Sequence, residues 1–543
     1  MTFLGLDCST QSLTGILIDF DSHSIIHREK LIFDNEFPYY GTHNGVYITH
    51  DGKQVHSNPL MWVEALDLLF SRLLKNKSLI KSVEAVSGSG QQHGTVYLNE
   101  KFEQVLDNLD SSLSLVNQLQ NSFSRDTSPV WMDSSTSKQC DEIRQKLGGM
   151  EATIRLTGSN TFERFSGPQI RKFYQEDPEK YFSTSKIHLV SSFMSSLLLG
   201  KNSPIDYGDG AGMNLMDIKT KKWSNRALDA TAPNLKLKLP PLNNSFDIIG
   251  KISPFFVKKF GFSPDTILIP WSGDNPNSLI GVGVIETGKV AISLGTSDTY
   301  FGYMKELDLD LKGEGHVFGA PTGDYMSLIC YKNGSLAREK VKGNLTWDEF
   351  SSILKRSPPG NCGKIMLPYF FPEIVPVVLE PKVYRFGFDE DDIEGNVRAI
   401  IEAQFLSMKH HSDWIKEKPL EIHATGGGSA NREILQVASD IFGINIRQFE
   451  ITDSAALGAA LRGVKSHYDY KGDKKNWPDI VYNFLNFQQS HIIEPNEHSR
   501  QLYNEMLNLY GKYENYIQKN DEDPEKLRQK FIKTYFKDKK YMK

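Results

Sequence analysis

Residues 271–278 read Trp-Ser-Gly-Asp-Asn-Pro-Asn-Ser, and they follow an apolar, strand-like run over residues 266–270. Gly273 permits unusual backbone angles and Pro276 cannot continue a strand ladder, so the stretch predicts a turn that aims Asp274 off the end of a strand. Catalytic groups of α/β folds commonly lie at such ends. A carboxylate there can accept a proton from an attacking hydroxyl during phosphoryl transfer. An Asn/Asp/Pro turn without chemistry fits the same residues, so the rest of the chain must decide.

The composition is that of a globular protein with sizeable cores. Of 543 residues, 39% are hydrophobic and 24% are charged, and the formal net charge is −5. This length favours several domains or two large α/β lobes. A protein with this net negative charge has no overall electrostatic attraction to nucleic acid or to an anionic membrane surface. Because no apolar run approaches the ~18 residues of a membrane helix, we expect no membrane span.

Cysteine usage and the termini predict a cytoplasmic protein. The chain reaches an acid at Asp7 without a basic segment, which does not fit a signal peptide. Residues 539–543 match none of the common targeting or lipidation signals. Four cysteines lack the spacing of a metal site or a disulfide framework, which suits a reducing compartment. They are Cys8, Cys140, Cys330 and Cys362.

The N-terminal segment predicts a β-hairpin. Strand-like runs over residues 3–6 and 13–20 flank a small, polar turn at residues 7–12. Backbone N–H groups and hydroxyls of such a turn can surround a phosphate, and Asp7 could hold Mg²⁺ through water. The candidate phosphate contacts are Ser9, Thr10 and Gln11. An ordinary hairpin without a ligand fits this segment as well.

Two polar loops are candidates for binding a sugar. Residues 87–94, Ser-Gly-Ser-Gly-Gln-Gln-His-Gly, separate predicted strands over residues 83–86 and 95–98. Amides and an imidazole can donate to and accept from sugar hydroxyls, and the glycines leave room for a ligand. A glycine-rich turn around a hydrogen-bonded histidine is the alternative. In residues 164–169, Arg-Phe-Ser-Gly-Pro-Gln, Arg164 could bind a polar ligand or form a surface ion pair.

Other segments are predicted from local pattern alone. Residues 130–135, Val-Trp-Met-Asp-Ser-Ser, predict a strand that ends in an acid-hydroxyl turn. Residues 206–213 predict a glycine-rich loop, and the lack of a preceding strand argues against a dinucleotide fingerprint. Apolar periodicity predicts helices over residues 59–74, 190–199 and 394–411.

The hairpin pattern returns near the middle of the chain. Residues 289–294 and 299–303 predict strands around the turn Gly295-Thr296-Ser297-Asp298. We interpret this strand, hydroxyl turn and strand as an internal repeat that marks the start of a second lobe. Two such turns facing each other would clamp a triphosphate. Residues 283–290 imitate a P-loop, but Val290 offers no hydroxyl for Mg²⁺, which excludes that motif.

A glycine run between a strand and a helix is a candidate adenosine site. A strand is predicted over residues 420–425, Gly-Gly-Gly-Ser-Ala-Asn occupies residues 426–431, and a helix begins at Arg432. Three glycines permit close approach of a flat ligand and expose helix N–H groups, although a tight turn without a ligand is possible. The tail from Glu494 predicts helices, the last of them basic and over residues 526–543.

Seven of these motifs, taken in order, resemble the FGGY carbohydrate kinases, and the resemblance spans about residues 3–465. The family implies an α/β fold with two ribonuclease-H-like (actin/hexokinase-like ATPase) lobes and a cleft between them. We therefore expect an N-terminal lobe over residues 1–285, with the sugar site and the catalytic base. A C-terminal lobe over residues 286–543 would bind ATP and end in a helical tail. The motifs are residues 7–11, 91–94, 131–133, 164–167, 273–276, 293–297 and 426–431.

The resemblance also implies a role for each candidate residue. Asp274 would take the proton from the sugar hydroxyl, and Asp7 would help to place Mg²⁺. Position 8 departs from the family, because Cys stands where a glycine or similar small residue is common. The sugar contacts would be Gln92, His93, Arg164, Asp274 and Asn275. The ATP contacts would be Ser9, Thr10, Gln11, Gly295, Thr296, Ser297, Trp347, Gly427, Gly428 and Asn431.

The activity that the resemblance implies is ATP-dependent phosphorylation of a sugar. The pair Gln92-His93 favours D-xylulose, whose 5-phosphate feeds the pentose phosphate pathway, and ribulose, glycerol or gluconate are alternatives. Asp274 and the two phosphate turns argue against a catalytically silent sugar or nucleotide sensor. An actin-like assembly ATPase would not need the Gln-Gln-His or Gly-Asp-Asn-Pro loops. We expect a monomer or homodimer with sugar and ATP as ligands, and neither nucleic acid nor membrane as a partner.

Overall fold

The computed structural model describes residues 1–449, 453–485 and 491–537. The chain divides into two compact units, both built from helices and sheets. Unit 1 comprises Met1–Ile285, Met304–Met326 and Asp453–Phe487, and unit 2 comprises Glu286–Tyr303, Ser327–Thr452 and Gln488–Lys543. Residues 539–543, which match none of the common targeting signals, lie outside the described residues. Within the described part of the chain, no helix combines the length and apolar character needed to cross a membrane.

The described strands range from two to nine residues in length. In chain order they are β1 (Thr2–Cys8), β2 (Ser12–Asp19), β3 (Ser24–Ile32), β4 (Tyr47–Ile48), β5 (Val55–Ser57), β6 (Val83–Gly90), β7 (Thr95–Leu98), β8 (Ser128–Pro129), β9 (Lys186–Leu189), β10 (Ile205–Asp206), β11 (Met216–Asp217), β12 (Lys222–Trp223), β13 (Leu242–Asn243), β14 (Gly250–Lys251), β15 (Ile267–Leu268), β16 (Ser272–Gly273), β17 (Lys289–Leu294), β18 (Asp298–Met304), β19 (His316–Gly319), β20 (Tyr325–Tyr331), β21 (Ile365–Pro368), β22 (Val383–Phe386), β23 (Glu421–Thr425), β24 (Asn445–Gln448) and β25 (His491–Ile493).

The helices confirm the three that periodicity predicts, here α2, α10 and α18. In chain order they are α1 (Phe33–Glu36), α2 (Pro59–Leu73), α3 (Lys77–Lys81), α4 (Lys101–Asp107), α5 (Leu115–Leu119), α6 (Ser137–Leu147), α7 (Met150–Thr157), α8 (Ser166–Glu176), α9 (Pro178–Ser183), α10 (Val190–Leu199), α11 (Tyr207–Ala211), α12 (Asn225–Thr231), α13 (Leu235–Lys238), α14 (Pro254–Phe260), α15 (Asp274–Gly281), α16 (Ser335–Lys342), α17 (Trp347–Arg356), α18 (Ile393–His411), α19 (Arg432–Phe442), α20 (Ser454–Lys471), α21 (Trp477–Phe484), α22 (Arg500–Lys519) and α23 (Glu525–Tyr535).

The main sheet of unit 1 brings three polar segments to one edge. Its strand order is β14-β15-β6-β1-β2-β3, and β16 also pairs with β6. Strands β1 and β2 form the predicted antiparallel hairpin, whereas β6 runs parallel to β1 and β16 runs parallel to β6. Cys8 thus lies beside Gly90, and Gly90 lies beside Gly273. Because parallel strands end at the same edge, the residues that follow these three strands begin as neighbours.

Small residues let helix α20 lie close to this sheet. A Cβ added at Gly5 of β1 would lie 2.0 Å from the backbone oxygen of Ala456, and one at Gly458 would lie 1.9 Å from that of Asn277. Helix α20 packs against β1, β6 and α15, all in unit 1. A larger residue at either glycine would push α20 away from its neighbours. The close backbone contacts that the glycines allow therefore hold α15, and the residue that begins it, in position.

The main sheet of unit 2 repeats the hairpin design. Strands β17 and β18 are antiparallel, and β17 runs parallel to β23, which runs parallel to β24. Strand β20 extends the sheet beyond β18, and β25 extends it beyond β24. The predicted repeat of strand, hydroxyl turn and strand is therefore confirmed. Helix α22 of the tail buries an apolar stripe that includes Leu502 and Met506, and residues 538–543 of the predicted terminal helix lie outside the described residues.

Two predictions for glycine-rich segments are wrong. The strand predicted over residues 83–86 continues through Ser87-Gly88-Ser89-Gly90, because these glycines permit close neighbours rather than a turn. A Cβ at Gly88 would lie 2.1 Å from the ring of Trp271, and one at Gly90 would lie 2.5 Å from the backbone nitrogen of Ser191. Residues 207–211 form α11 instead of a loop, since the side chain of Asp206 accepts a hydrogen bond from the backbone N–H of Asp209 and caps the helix.

Two turn predictions also need correction. Asp274 does not lie in a turn: it is the first residue of α15, and Pro276 fits there because first-turn N–H groups have no intrahelical partner. The strand predicted over residues 130–132 is absent, and β8 ends at Pro129. A turn follows, in which the backbone N–H of Asp133 donates to the carbonyl of Val130 over 2.9 Å.

Candidate functional site

Asp274 begins α15 and is held by the groups around it. Its Oδ1 accepts hydrogen bonds from the backbone N–H of Asn275 over 2.9 Å and from the Asn275 side-chain amide over 3.1 Å. Burial raises the pKa of Asp274 to about 6, against the opposing effect of backbone N–H groups that include those of Asn275 and Gln92. The carboxylate is therefore ionised at neutral pH but more basic than a solvent-exposed aspartate.

Gln92 and Asn275 connect the loop after β6 to the start of α15. The Asn275 amide donates to Gln92 Oε1 over 2.8 Å. The Gln92 side chain is buried, and its Nε2 has no hydrogen-bond partner among the described residues. Gly273 is required for this contact, because a Cβ there would lie 2.4 Å from Gln92 Cγ. A buried amide with an unused donor is a ready contact for a ligand hydroxyl.

His93 is a buried, neutral hydrogen-bond acceptor. Its Nδ1 lies 2.9 Å from the carbonyl oxygen of Gly212. A carbonyl only accepts, so Nδ1 carries the proton and Nε2 keeps a free lone pair. Burial and the charge of Arg164 lower the pKa of His93 to about 3, and its ring centroid lies 4.4 Å from that of Phe165, with the two planes inclined by 34°. The backbone of His93 is left-handed, with φ +70°, which turns the ring back against Phe165.

Arg164 is held by aromatic rings and by a histidine that sequence reasoning missed. Its guanidinium lies 5.1 Å from the ring centroid of Phe162 and 5.6 Å from that of Phe165. Its Nη2 donates to His316 Nε2 over 2.8 Å, and burial holds the pKa of His316 well below its usual value. No carboxylate in the described part of the chain pairs with Arg164, so the ion-pair alternative is not what the structure contains. His316 lies in β19, where nothing in the sequence marks it.

Asp7 and Asp209 add acidic groups to the same region of unit 1. Burial, and then the charges of Asp274 and Asp453, raise the pKa of Asp7 to about 7. Its Oδ1 is buried and has no hydrogen-bond partner in the described structure, which leaves that oxygen available to a cation. Asp209, which sequence reasoning placed in a loop without a role, accepts a hydrogen bond from Ser191. Its pKa is raised well above the usual value by burial, by Asp206 and by Asp274.

The first hairpin turn satisfies most of its own hydroxyls. Ser9 Oγ bonds to the backbone oxygen and to the hydroxyl of Ser12, each over 3.0 Å. Thr10 Oγ1 donates to Gln91 Oε1 over 3.2 Å and accepts from the indole N–H of Trp131 over 2.9 Å. Gln11 is exposed. These bonds connect three of the sequence motifs within unit 1.

In unit 2, six predicted nucleotide residues line one cavity of about 760 Å³. They are Gly295, Thr296, Trp347, Gly427, Gly428 and Asn431. Ser297 is exposed and is not part of the lining. A cavity of this size is in the usual range for a small-molecule or cofactor site.

The walls of this cavity are fixed by helix caps. Asn431 Oδ1 accepts hydrogen bonds from the first backbone N–H groups of α19, and its amide donates to Ser351 Oγ of α17 over 2.7 Å. Trp347 is the first residue of α17 and is 39% exposed. The side chains of Thr346 and Glu349 form a capping box that fixes the start of this helix.

The floor of the cavity depends on glycines and on an ion pair that sequence reasoning missed. A Cβ at Gly427 would meet no protein atom within 4 Å, whereas one at Gly428 would lie 2.9 Å from Leu294 Cβ. Arg338 also lines the cavity and is nearly fully buried, with Nη1 and Nη2 at 2.6 and 2.9 Å from the two carboxylate oxygens of Asp298. This bidentate ion pair stabilises part of the cavity lining, and neither of its charges is exposed to solvent.

Comparisons with known proteins find two matching family domains, similar full-length relatives and a solved structure with a similar fold. The N-terminal domain of the FGGY family of carbohydrate kinases matches residues 126–281, and its C-terminal domain matches residues 290–467. Xylulose kinase 2 of Arabidopsis thaliana is 46% identical over 485 residues, covering 85% of this chain and 86% of the relative. Xylulose kinase of Rattus norvegicus is 38% identical over 527 residues, covering 95% and 96%. The crystal structure of gluconate kinase from Lactobacillus acidophilus matches with a TM-score of 0.81 at 20% identity, covering 95% and 98%.

The chain belongs to the FGGY family of carbohydrate kinases. It is thus an ATP-dependent sugar kinase, and its small-molecule substrates are a sugar and ATP. The predicted α/β fold class with two lobes is confirmed by the two units and by the match to the gluconate kinase structure, which shows the fold alone.

Proposed function

We propose that this chain transfers the γ-phosphoryl group of ATP to D-xylulose and forms D-xylulose 5-phosphate. The observation that carries the proposal is the connected set of Asp274, Asn275 and Gln92, beside the neutral acceptor His93. The set combines one base with unused donors and acceptors suited to sugar hydroxyls. The two curated relatives, both named xylulose kinases, support the choice of sugar.

In this proposal, Asp274 is the general base. As the sugar hydroxyl oxygen attacks the γ-phosphorus, its proton passes to the Asp274 carboxylate, the new O–P bond forms, and the bond to the β-phosphate oxygen breaks to release ADP. A pKa of about 6 makes Asp274 ionised at neutral pH while keeping it basic enough to take the proton late. Gln92, Asn275, His93 and Arg164 would hold the sugar in register for this transfer.

Unit 1 also fits a Mg²⁺ ion, and Asp7 would help to hold it. The buried Asp7 Oδ1 has no hydrogen-bond partner in the described structure, and burial and then neighbouring carboxylates raise the pKa of Asp7. A hard divalent cation would bind this oxygen and offset the repulsion between the carboxylates. When bound, the ion would neutralise charge on the phosphates. Ser9, Thr10 and Gln11 stay candidate phosphate contacts through the turn's backbone.

ATP is proposed to bind in the cavity of unit 2. Gly427 and Gly428 would let adenosine approach the backbone, Trp347 would stack on it, and Asn431 would border it. Gly295, Thr296 and Ser297 would contact the phosphates. The predicted assignment of residues 1–285 to the sugar and residues 286–543 to ATP becomes, in this proposal, an assignment of unit 1 to the sugar and unit 2 to ATP, because Met304–Met326 and Asp453–Phe487 belong to unit 1. A cytoplasmic location and a monomeric or homodimeric state are also part of this proposal.

The test is coupled ADP release by the purified chain with Mg²⁺ and ATP against D-xylulose, D-ribulose, L-ribulose, glycerol and gluconate. We expect D-xylulose to have by far the highest kcat/KM, and kcat should be lower by about two orders of magnitude or more in a chain carrying Asp274→Asn measured in parallel. A higher kcat/KM with another polyol would contradict the role given to Gln92 and His93. No turnover with any sugar would favour the sensor alternative. Gluconate belongs in the panel because a gluconate kinase structure shares this fold.

A further inference from the structure

A second group of metal-ligating side chains lies in unit 2, away from the cavity-lining residues. His410 and His411 are the last two residues of α18, and Glu514 lies in α22. Their ligand atoms all lie within 4.8 Å of one another. Helices α18 and α22 pack together, so the three side chains meet between two regular elements rather than on a loop.

The distances suit a small cation bound by nitrogen and oxygen. Glu514 Oε2 lies 3.0 Å from His411 Nε2 and 3.8 Å from His410 Nε2. Two ligands at about 2.1 Å from a zinc ion, separated by a tetrahedral angle, would be about 3.4 Å apart. The observed pair of distances brackets that value, so small side-chain adjustments would complete the geometry.

The surroundings hold the ligands and leave one side accessible. His411 and Glu514 are 4% exposed each, whereas His410 is 33% exposed. Gly511 makes room for His410, because a Cβ there would lie 2.8 Å from His410 Cε1. The hydroxyl of Tyr369 donates to Glu514 Oε1 over 3.3 Å, the kind of outer contact that orients a carboxylate ligand and leaves Oε2 for the metal.

The local charge also favours a cation. Two imidazoles and one carboxylate lie at the C-terminus of a 19-residue helix, where the partial charge of the backbone carbonyls is negative. Glu514 is nearly fully buried, and a buried carboxylate requires a positive partner or strong hydrogen bonds. A His–Glu ion pair is the competing explanation, and the test below separates the two.

We propose that His410, His411 and Glu514 form a binding site for a divalent transition-metal ion, with Zn²⁺ the best match. Two imidazole nitrogens and one carboxylate oxygen are three protein ligands of the kind zinc takes, and the exposed side by His410 admits water as the fourth. The bound ion would join the end of α18 to α22 and so attach the helical tail to the rest of unit 2. This site is independent of the residues assigned to phosphoryl transfer.

The test is zinc affinity of the full-length chain, stripped with a chelator and titrated with Zn²⁺ against a chromophoric competitor. We expect one tight equivalent in the wild type and at least about 100-fold weaker binding in His410→Asn and Glu514→Gln, since even outer contacts to a metal change affinity by about 10- to 100-fold. Glu514→Gln keeps an acceptor for Tyr369. The exposed His498, just before α22, provides the control His498→Asn, which should bind as the wild type does.

A second readout keeps the proposal testable if a buried variant folds poorly. His410 is partly exposed, so His410→Asn should fold, and Zn²⁺ should raise the Tm of the wild type but not of this variant. Co²⁺ in the wild-type site should give the strong visible absorption of a four-coordinate ion. Absence of a tight equivalent, or equal affinity in the wild type and both ligand variants, would overturn the site and leave a His–Glu ion pair.

Discussion

The two units place their candidate sites with the same strand topology, but the residues that form the two sites differ in kind. In unit 1, β1 and β2 form a hairpin and β6, parallel to β1, leads into Gln92 and His93. In unit 2, β17 and β18 form a hairpin and β23, parallel to β17, leads into residues 426–431. The first site consists of buried polar side chains, and the second of glycines around an open cavity. The comparison teaches that strand order decides where a site lies, while side-chain burial decides which chemistry it supports.

The electrostatics show the same contrast. In unit 1, burial raises the pKa of Asp7 and Asp274 and lowers that of His93 and His316, so burial shifts all four groups towards their neutral forms. The buried charge of Arg338, which lines the unit 2 cavity, is paired with that of Asp298. A reacting centre and a site for holding a nucleotide need these two different environments.

The largest effect is expected from removing the base in unit 1. Asp274→Asn keeps the size and an acceptor oxygen for Asn275 but cannot take a proton, so kcat should fall by about two orders of magnitude or more. Binding of sugar should persist, measured by titration of the variant with D-xylulose. Near-normal turnover would remove Asp274 from the mechanism, and lost sugar binding would make it a structural residue instead.

The pH dependence of the reaction should report the same group. Asp274 acts as a base only when ionised, and its pKa is about 6, so kcat/KM is expected to be constant above that pH and to fall as pH drops through it. The decline should approach about tenfold per pH unit at low pH. The residual activity of Asp274→Asn serves as the control, because this limb should be missing from its profile. An identical limb in both proteins would assign it to another group, with Asp7 the first to examine.

Most of the fold and part of this site could be predicted from the sequence. Strongly periodic segments such as α2 and α18, and both hairpins, follow from local pattern. The starts of α11 and α15 could not be separated from turns, since Asp, Gly and Pro favour both helix N-termini and turns. Asp274 and His93 belong to recognisable polar sequence motifs. His316, Asp209 and Arg338 act through tertiary contacts with distant residues, and no local pattern marks such contacts.

A smaller effect is expected from loosening Arg164. His316→Ala removes the acceptor for its Nη2, and loss of a hydrogen bond to a charged group should raise the KM for sugar by about tenfold with little change in KM for ATP. His316→Gln supplies an amide oxygen and should recover much of the loss. Steady-state kinetics with each substrate varied in turn measures both. Equal losses in Ala and Gln, or a matching rise in KM for ATP, would indicate a packing defect rather than positioning of Arg164.

Alanine substitutions at Gly427 and Gly428 of the unit 2 cavity should separate an effect on ATP binding from an effect on protein stability. Gly427→Ala meets no protein atom within 4 Å, so Tm should stay unchanged while KM for ATP rises. Gly428→Ala places its Cβ 2.9 Å from Leu294 Cβ, which should reduce the free energy of unfolding by about 1–3 kcal/mol. Thermal unfolding and ATP kinetics on the pair check this. If Gly427→Ala leaves KM for ATP unchanged, the nucleotide does not approach the backbone there.

The smallest effect is expected at the rim of the same cavity. Trp347 is 39% exposed, and stacking of an aromatic ring contributes about 0.5–1.5 kcal/mol, so Trp347→Ala should raise KM for ATP by about two- to tenfold and leave KM for sugar unchanged. Trp347→Phe retains a ring and should recover most of the affinity. The capping box of Thr346 and Glu349 remains in both variants, so α17 should keep its helical content, which circular dichroism can check. A loss in Ala that Phe does not recover would mean that the indole acts through shape or its N–H, and the unit 2 site would then depend on a specific side chain as the unit 1 site does.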